Sequence, residues 1–346
     1  MEDCFIMKFR HMLLIVLAMS LLVPCASGES GGSSPAEIAD VSLTHRLDSL
    51  PMDSTAIAPA PLDDFYISDR DYEDSTISVH ITEGTYERVH YMCARVKISH
   101  PSQLRTTPAR QVNYPDAVFS AWDTSCAECI DMAAAVHAVV AINGDFCTDP
   151  DRCCVMMRQG LQLRNMCNGR FDVLVIDNDG KLDCLQNCYT QDYKNYYEEH
   201  NGEIYQAFCF GPCLVKNNAV IVEDKKNSNS YTLYDVPTQR MAIAQVGNLD
   251  YLLITCDGDA RLNKTGLTIA QFADLCLQLS REANPVTGAR IVYNLDGGNS
   301  SSLVFKTRDN GGRLSYAKLN MPKLSRPLAD MICFVTLEAL NDEPAE

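Results

Sequence analysis

Short apolar runs separated by turn-forming residues dominate the sequence beyond residue 76. They are rich in β-branched and aromatic residues, as β-strands are, and too short for helices of ordinary length. The runs cover residues 76–81, 89–98, 139–142, 171–176, 219–222, 241–246 and 251–256. The run at 171–176 leads into Asn178-Asp-Gly-Lys181, which predicts a hairpin turn. The pattern therefore predicts a fold built mainly from sheets.

Two segments instead have the spacing of amphipathic helices. Thr124 or Ser125 is positioned to cap a helix that runs to about Ala138. Thr268 and Gln271 have the form of a capping box. The helix that follows them carries an apolar stripe formed by Phe272, Leu275, Cys276 and Leu279. Together with the strands, these helices predict the α+β class: a large mixed β-sheet core with flanking helices in a single catalytic domain.

The N-terminus resembles an export signal. Lys8 and Arg10 precede the apolar stretch at residues 13–22, and small residues follow Cys25. This stretch is shorter than the roughly 20 residues of a membrane span, so residues 1–28 are predicted to be a signal peptide and the protein to be secreted or at the cell surface. A lipid anchor at Cys25 is the alternative, which Pro24 disfavours.

Residues 29–76 differ in composition from the rest of the chain. They are rich in Gly, Ser, Pro and Asp, and their large apolar residues do not recur in phase. Such a segment buries too little surface to offset the entropy of folding. We therefore predict a disordered acidic tether at 29–76 and a folded domain at 77–346.

Charge and motifs exclude several functions. The formal net charge of -16, from 29 basic and 45 acidic residues, opposes binding of nucleic acid and of anionic membranes. The sequence contains no glycine-rich nucleotide-binding pattern and no calcium-binding loop in the EF-hand order. No cofactor and no metal are expected.

The cysteine content points to disulfides. Of 16 cysteines, Cys4 and Cys25 lie in the leader, which leaves 14 in a chain that we expect to be exported. Close pairs such as Cys126/Cys129, Cys184/Cys188 and Cys209/Cys213 are candidates. A zinc site is the alternative, although only Cys126/Cys129 has C-x-x-C spacing.

The strongest chemical signal is the sequence Asn-Leu-Asp-Gly-Gly at residues 294–298, with three serines at 300–302. An apolar strand here ends in Asn294 and Asp296, and Gly297 and Gly298 permit a sharp turn. Such a turn aims backbone N–H groups and the hydroxyls of Ser300 and Ser301 at an anion. A hairpin loop made of ordinary turn formers is the competing interpretation.

Similar features occur elsewhere in the chain. Asn143, Gly144 and Asp145 also follow an apolar strand, and so does Asp257. Arg240 opens a strand and is suited to hold a phosphate through two parallel hydrogen bonds. No histidine adjoins these motifs, so a Ser/His triad cannot be argued from the sequence.

The order of these segments resembles that of the phosphodiester glycosidase family. The resemblance spans residues 139–335 and includes Ser-Arg-Pro at 325–327. It implies cleavage of a sugar C1–O bond next to a phosphodiester, with a sugar similar to N-acetylglucosamine. Asp145, Cys147, Asp259 and Asn299 depart from the usual family residues, which puts the substrate in question.

The resemblance also implies roles for the residues at the motifs. Asp296 would be the principal carboxylate, with Asp145 or Asp257 as its partner, while Arg240 and Arg326 would hold the phosphate. The sugar or the phosphate would bind Asn143, Asn294, Ser300 and Ser301, with Gly144, Gly297 and Gly298 shaping the backbone. The expected partner is a carbohydrate phosphodiester or a cell-surface glycan. A non-catalytic, disulfide-rich glycan-binding surface protein is the alternative.

Overall fold

Strands form most of the regular structure. The computed structural model describes residues 44–53, 56–121, 123–145, 155–222, 234–258, 266–321 and 326–340. In chain order its strands are β1 (Thr44–Arg46), β2 (Asp71–Glu73), β3 (Ile77–Tyr86), β4 (Val89–Ile98), β5 (Leu104–Pro108), β6 (Val140–Asn143), β7 (Val155–Arg158), β8 (Leu161–Asn165), β9 (Asp172–Asp177), β10 (Leu182–Leu185), β11 (Ile204–Phe210), β12 (Cys213–Lys216), β13 (Ala219–Val220), β14 (Arg240–Gly247), β15 (Asp250–Cys256), β16 (Ile291–Asn294), β17 (Leu303–Arg308), β18 (Leu314–Lys318), β19 (Asp330–Phe334) and β20 (Glu338–Leu340). All seven predicted runs correspond to strands within a few residues.

Three α-helices lie among the described residues: α1 (Cys129–Ala135), α2 (Thr190–Glu199) and α3 (Ile269–Ala283). The predicted capping box of α3 is confirmed, because Thr268 Oγ1 accepts from Gln271 N at 3.3 Å and Gln271 Oε1 accepts from Thr268 N at 3.1 Å. Helix α1 is shorter than predicted. Ser125 N bonds to the Asp123 side chain at 2.8 Å instead of entering a helical turn, and Ala127 forms a β-bridge.

The strands form four sheets. An eight-stranded sheet has the order β13-β12-β16-β14-β15-β4-β3-β2, and two five-stranded sheets have the orders β18-β17-β6-β19-β5 and β10-β9-β11-β7-β8. Strands β1 and β20 form a two-stranded sheet. Every strand pairing described is antiparallel, so the prediction of one large mixed sheet is wrong, while the α+β class holds. Short turns between successive runs favour antiparallel neighbours, as at the confirmed hairpin between β9 and β10.

Two clusters contain most of the buried apolar residues. The larger one joins residues of all three large sheets, such as Val96, Phe208 and Phe305. The second lies under α3, whose predicted apolar stripe packs on β14 and β15. The three large sheets therefore form a rigid support for the loops at their edges.

Residues 44–53 and 56–76 are part of the fold. Leu50 packs with Val335 in a small buried cluster, and β1 pairs with β20. Tyr66 and Tyr72 are buried, with ring centroids 4.7 Å apart. The prediction of a disordered tether is therefore wrong for residues 44–53 and 56–76. The average composition of this segment predicts disorder, but a few widely spaced apolar side chains are enough to hold it against the domain. Residues 1–43, including the predicted signal peptide, lie outside the described part of the chain.

The candidate site lies where two sheets meet. Strand β16 belongs to the eight-stranded sheet and β17 to a five-stranded sheet, so the connection at residues 295–302 crosses from one to the other. Leu295 N donates to Met241 O at 2.8 Å, which continues the β14–β16 pairing beyond Asn294. By the same register, Asp296 follows opposite Arg240.

Candidate active site

Glycines determine the path of the connection at residues 295–302. Gly298 has φ +57°, a conformation that L side chains rarely adopt. A Cβ on Gly297 would lie 2.6 Å from Gln239 O, a backbone atom that cannot swing away. Gly298 N donates to Gln239 O at 3.0 Å, so the glycine pair packs directly on the start of β14. A side chain at either position would therefore disturb this packing or strain the backbone.

Asn143 holds the same connection from the other sheet. Its Nδ2 donates to Asp296 O at 2.7 Å, and its Oδ1 accepts from Ser302 N at 3.0 Å. The side chain is buried, with 1% of the residue exposed. Asn143 therefore positions Asp296 through the backbone instead of facing solvent.

Asn294 is also buried, at the end of β16. Its Nδ2 donates to Gly211 O at 2.8 Å, and its N donates to Pro212 O at 3.1 Å. Its Oδ1 is buried with no hydrogen-bond partner in the described structure. An unmatched acceptor in a protein interior is costly, and a catalytic role or a bound water or ion is among the reasons that such an atom is kept.

Asp296 and Arg326 form an ion pair at the surface of the site. Arg326 Nη2 lies 2.6 Å from Asp296 Oδ2, and Arg326 Nε donates to Ser300 Oγ at 2.6 Å. The Asp296 side chain is 13% exposed and that of Arg326 45%, so both are open to a ligand. Burial raises the pKa of Asp296 above its ordinary value, and the neighbouring Arg326 and Ser300 oppose this shift. A raised carboxylate pKa beside a cation is typical of catalytic sites.

Asp145 is held in the interior. Its carboxylate accepts from Arg158 Nη2 at 3.1 Å and from Cys209 N at 2.8 Å, and the side chain is 2% exposed. Arg158 also pairs with Asp330 at 2.7 Å. A Cβ on Gly144 would lie 2.3 Å from Asp330 Oδ1, so only glycine fits over this cluster. The buried cluster of Asp145, Arg158 and Asp330 therefore packs against the backbone at the end of β6 and holds it in place.

Asp257 pairs with a histidine that the sequence analysis did not connect to the site. His90 Nδ1 lies 2.8 Å from Asp257 Oδ2, and Met321 N donates to Asp257 Oδ1 at 2.8 Å. Glu83 is 3.5 Å from His90 Nε2. The 167 residues that separate His90 from Asp257 hide this pair from sequence reasoning. Only the pairing of β15 with β4 brings them together.

Arg240 is 3% exposed and donates to backbone carbonyls. Its Nε bonds to Leu267 O at 3.1 Å and its Nη2 to Val236 O at 2.8 Å. Burial lowers the pKa of its guanidinium to about 10. Ser301 Oγ donates to Arg240 O at 3.2 Å, which ties the serine to β14.

The predicted site residues therefore divide into two groups. Most surround the connection at 295–302, namely Asn143, Gly144, Asn294, Asp296, Gly297, Gly298, Ser300, Ser301 and Arg326. The side chains of Asp145, Asp257 and Arg240 are each engaged by partners of their own. Cys147 and Asp259 lie outside the described residues.

No membrane-spanning or metal-binding arrangement occurs in the described ranges. None of their helices is long and apolar enough to cross a membrane. Nor do three His, Cys, Asp or Glu side chains of these ranges group in a way that could hold a metal ion.

Comparison with known proteins gives the class. The model of the phosphodiester glycosidase family matches residues 137–335, more than half of the chain. The chain therefore belongs to the phosphodiester glycosidase family, as its motifs predict.

One solved structure shares the fold, and a second is a weaker match. The catalytic domain of zebrafish N-acetylglucosamine-1-phosphodiester alpha-N-acetylglucosaminidase, auto-inhibited by its pro-peptide, matches with a TM-score of 0.53 and 15% identity, over 84% of this chain and 99% of that one. A hypothetical Synechocystis protein matches at 14% identity and TM-score 0.47, over 75% of this chain and 62% of that one. No curated protein sequence matches.

Proposed function

We propose that this protein hydrolyses a sugar-1-phosphodiester at the sugar C1–O bond and releases free sugar and a phosphomonoester. The observation that carries the proposal is the Asp296–Arg326 pair, which lies at the surface of a site in a phosphodiester glycosidase fold. The zebrafish enzyme is named for N-acetylglucosamine, and we propose a similar sugar here. Export to the cell surface or the medium is proposed from the leader sequence.

Arg326 is the residue that we assign to the phosphate. Its guanidinium is 45% exposed and already holds two oxygen atoms, those of Asp296 and Ser300. A planar guanidinium binds a phosphate through two parallel hydrogen bonds and neutralises the charge that develops on the departing group. Arg240, bonded to two backbone carbonyls, would support the base of the connection and not touch the phosphate.

Asp296 then acts on the sugar. A phosphate monoester is a weak base, so it departs with little help from an acid, and positive charge develops at C1. The ionised carboxylate of Asp296 stabilises that charge, and a water molecule adds to C1 and loses a proton. Asp257, oriented by His90, is the proposed acceptor of this proton. Asp145 would act through the buried cluster with Arg158, as a positioning residue.

The proposal is tested by incubating the secreted protein with a GlcNAc-1-phosphodiester and measuring free sugar and phosphomonoester. Equal release of both products above a blank supports it. Binding of the substrate without release, measured by calorimetry, would favour the non-catalytic glycan-binding protein.

The pH dependence should reveal the charge state of Asp296. If the Asp296 carboxylate must be ionised, kcat/KM falls as the pH drops through its pKa, and we call this decline the acidic limb of the pH profile. Because burial raises the pKa of Asp296, the acidic limb should lie at a higher pH than an ordinary Asp would give. Arg326 lowers this pKa, so Arg326→Gln should move the limb to higher pH. Arg281→Gln, which removes an exposed guanidinium bonded to Asn218, should leave it unchanged. An unmoved limb in Arg326→Gln would assign it to another group.

A further inference from the structure

Two cysteines flank a β-bridge beside α2. Asn168 pairs with Tyr189 in this bridge, which Gly169 N reinforces by donating to the carbonyl of Cys188 at 2.9 Å. Thr190 N donates to the carbonyl of Cys167 at 3.2 Å on the other side of the bridge, and Cys167 packs against the apolar cluster that contains Cys188. Cys188 is buried, with 1% exposed, whereas Cys167 is half-buried.

A second thiol pair joins two sheets. Cys184 lies on β10 and Cys213 on β12, and both belong to the largest apolar core. Lys216 of β12 donates to the Cys184 carbonyl at 3.3 Å, so the two strands are in contact beside these cysteines. The spacing in the sequence suggests Cys184/Cys188 and Cys209/Cys213, but these contacts pair Cys184 and Cys188 with other partners. Cys209 is disulfide-bonded.

We propose that Cys167–Cys188 and Cys184–Cys213 are disulfide bonds in the exported protein, and that only Cys167–Cys188 can re-form once the chain is folded. The proposal rests on the export that is part of the proposed function. The four residues are present as thiols in the structure, so each pair must lose two electrons and two protons.

Glutathione disulfide, or the disulfide of an oxidoreductase, supplies the oxidant. The Cys167 thiolate attacks one sulfur of glutathione disulfide and expels a glutathione thiolate. The Cys188 thiolate then attacks the Cys167 sulfur, which forms the protein disulfide and expels the second glutathione. Two protein thiols are oxidised and one glutathione disulfide is reduced to two glutathiones.

The two pairs differ in access to this chemistry. A hydrogen bond from the Cys188 thiol, helped by one from the backbone of Val155, lowers the pKa of Cys167 although burial opposes this. A half-buried thiol with a lowered pKa is a good attacking group. Cys184 and Cys213 are both buried, with 3% and 1% exposed, so glutathione disulfide reaches neither thiol in the folded protein, whereas it reaches the half-buried Cys167. The Cys184–Cys213 bond therefore forms during folding.

The Cys184–Cys213 bond would also stabilise the site. Cys213 directly follows Gly211 and Pro212, whose carbonyls accept both hydrogen bonds from Asn294. Fixing Cys213 to β10 anchors this segment to a second sheet. The Cys184→Ser/Cys213→Ser double variant should therefore melt about 5–10 °C below the wild type, as loss of a disulfide of this loop length predicts.

The test uses the full chain secreted from an oxidising compartment. Under denaturing conditions iodoacetamide blocks free thiols, reduction follows, and N-ethylmaleimide then labels the released ones. The four cysteines should carry N-ethylmaleimide, and an unreduced digest should contain 167–188 and 184–213 cross-links. Cys333, whose thiol contacts Met331 O at 4.0 Å, is the control and should carry iodoacetamide. Iodoacetamide on all four, or 184–188 and 209–213 cross-links, would overturn the pairing.

A second arm tests the asymmetry. The protein is reduced under denaturing conditions and refolded without an oxidant. Glutathione disulfide added to the refolded protein should then restore the 167–188 cross-link but not the 184–213 one. Return of both, or of neither, would contradict the proposed difference in access. Phosphodiester hydrolysis is measured on the same preparation: an active protein with four free thiols overturns only the disulfides, and an inactive protein with both cross-links overturns only the function.

Discussion

Asp296→Asn is expected to lower kcat/KM for a sugar phosphodiester by about 10²-fold or more while leaving the thermal midpoint nearly unchanged. Asparagine keeps the size of the side chain and can still accept from Arg326, which lies 2.6 Å away. It removes the charge that would stabilise the cation at C1. Because asparagine has the same shape as aspartate, the change leaves no empty cavity.

Asp183→Asn is the matched control. Asp183 pairs with Lys216 at 3.1 Å, and its side chain is 28% exposed. This variant tests whether removing the charge of any ion-paired aspartate lowers the activity. The activity of Asp183→Asn should stay close to that of the wild type. A near-wild-type rate in Asp296→Asn itself would end the assignment of Asp296.

Arg326→Gln is expected to remove the preference for phosphate. If Arg326 binds the bridging phosphate, its loss removes charge-assisted hydrogen bonds of about 1.5–3 kcal/mol, or about 10- to 100-fold in kcat/KM. A para-nitrophenyl glycoside of the same sugar lacks the phosphate. We therefore compare the ratio of kcat/KM for the phosphodiester to kcat/KM for the para-nitrophenyl glycoside. An effect of the substitution on Asp296 changes both values and cancels in the ratio, so this ratio should fall by about 10- to 100-fold.

Two further variants make this result specific. Arg326→Lys should recover only part of the preference, because lysine keeps the charge and loses the planar fork. Arg240→Gln should lower kcat/KM for both substrates by the same factor, since Arg240 bonds to the carbonyls of Leu267 and Val236. A parallel loss in Arg326→Gln would mean that this arginine serves the fold or the sugar.

Local sequence patterns predicted the strands and one helix well. Val89–Ile98 has the predicted bounds, and the capping box of Thr268 begins α3. Helix α2 was missed because Tyr193 is its only buried residue, so its sequence has no apolar stripe. The fold before Ile77 was missed for a related reason, since its buried residues, such as Leu50 and Tyr66, are few and widely spaced.

Side-chain partners were harder to predict than elements. The motif at residues 294–298 indicated the candidate site, because glycines and polar strand ends are local signals. Nothing local pairs Asp145 with Arg158, or His90 with Asp257, because the partners belong to strands distant in the sequence. The same holds for Cys184 and Cys213, which meet between two sheets. Such contacts depend on strand order and register, which periodicity does not determine.

The central claim is that this site breaks the sugar C1–O bond, and hydrolysis of a GlcNAc-1-phosphodiester in ¹⁸O-labelled water tests it most directly. If Asp296 stabilises charge at C1, the wild type should place the label on the sugar and none on the phosphomonoester, and Asp296→Asn should lose this turnover. Mass spectrometry of both products gives the answer in one experiment. Label on the phosphomonoester would mean that the P–O bond breaks, and the protein would then be a phosphodiesterase and not a glycosidase.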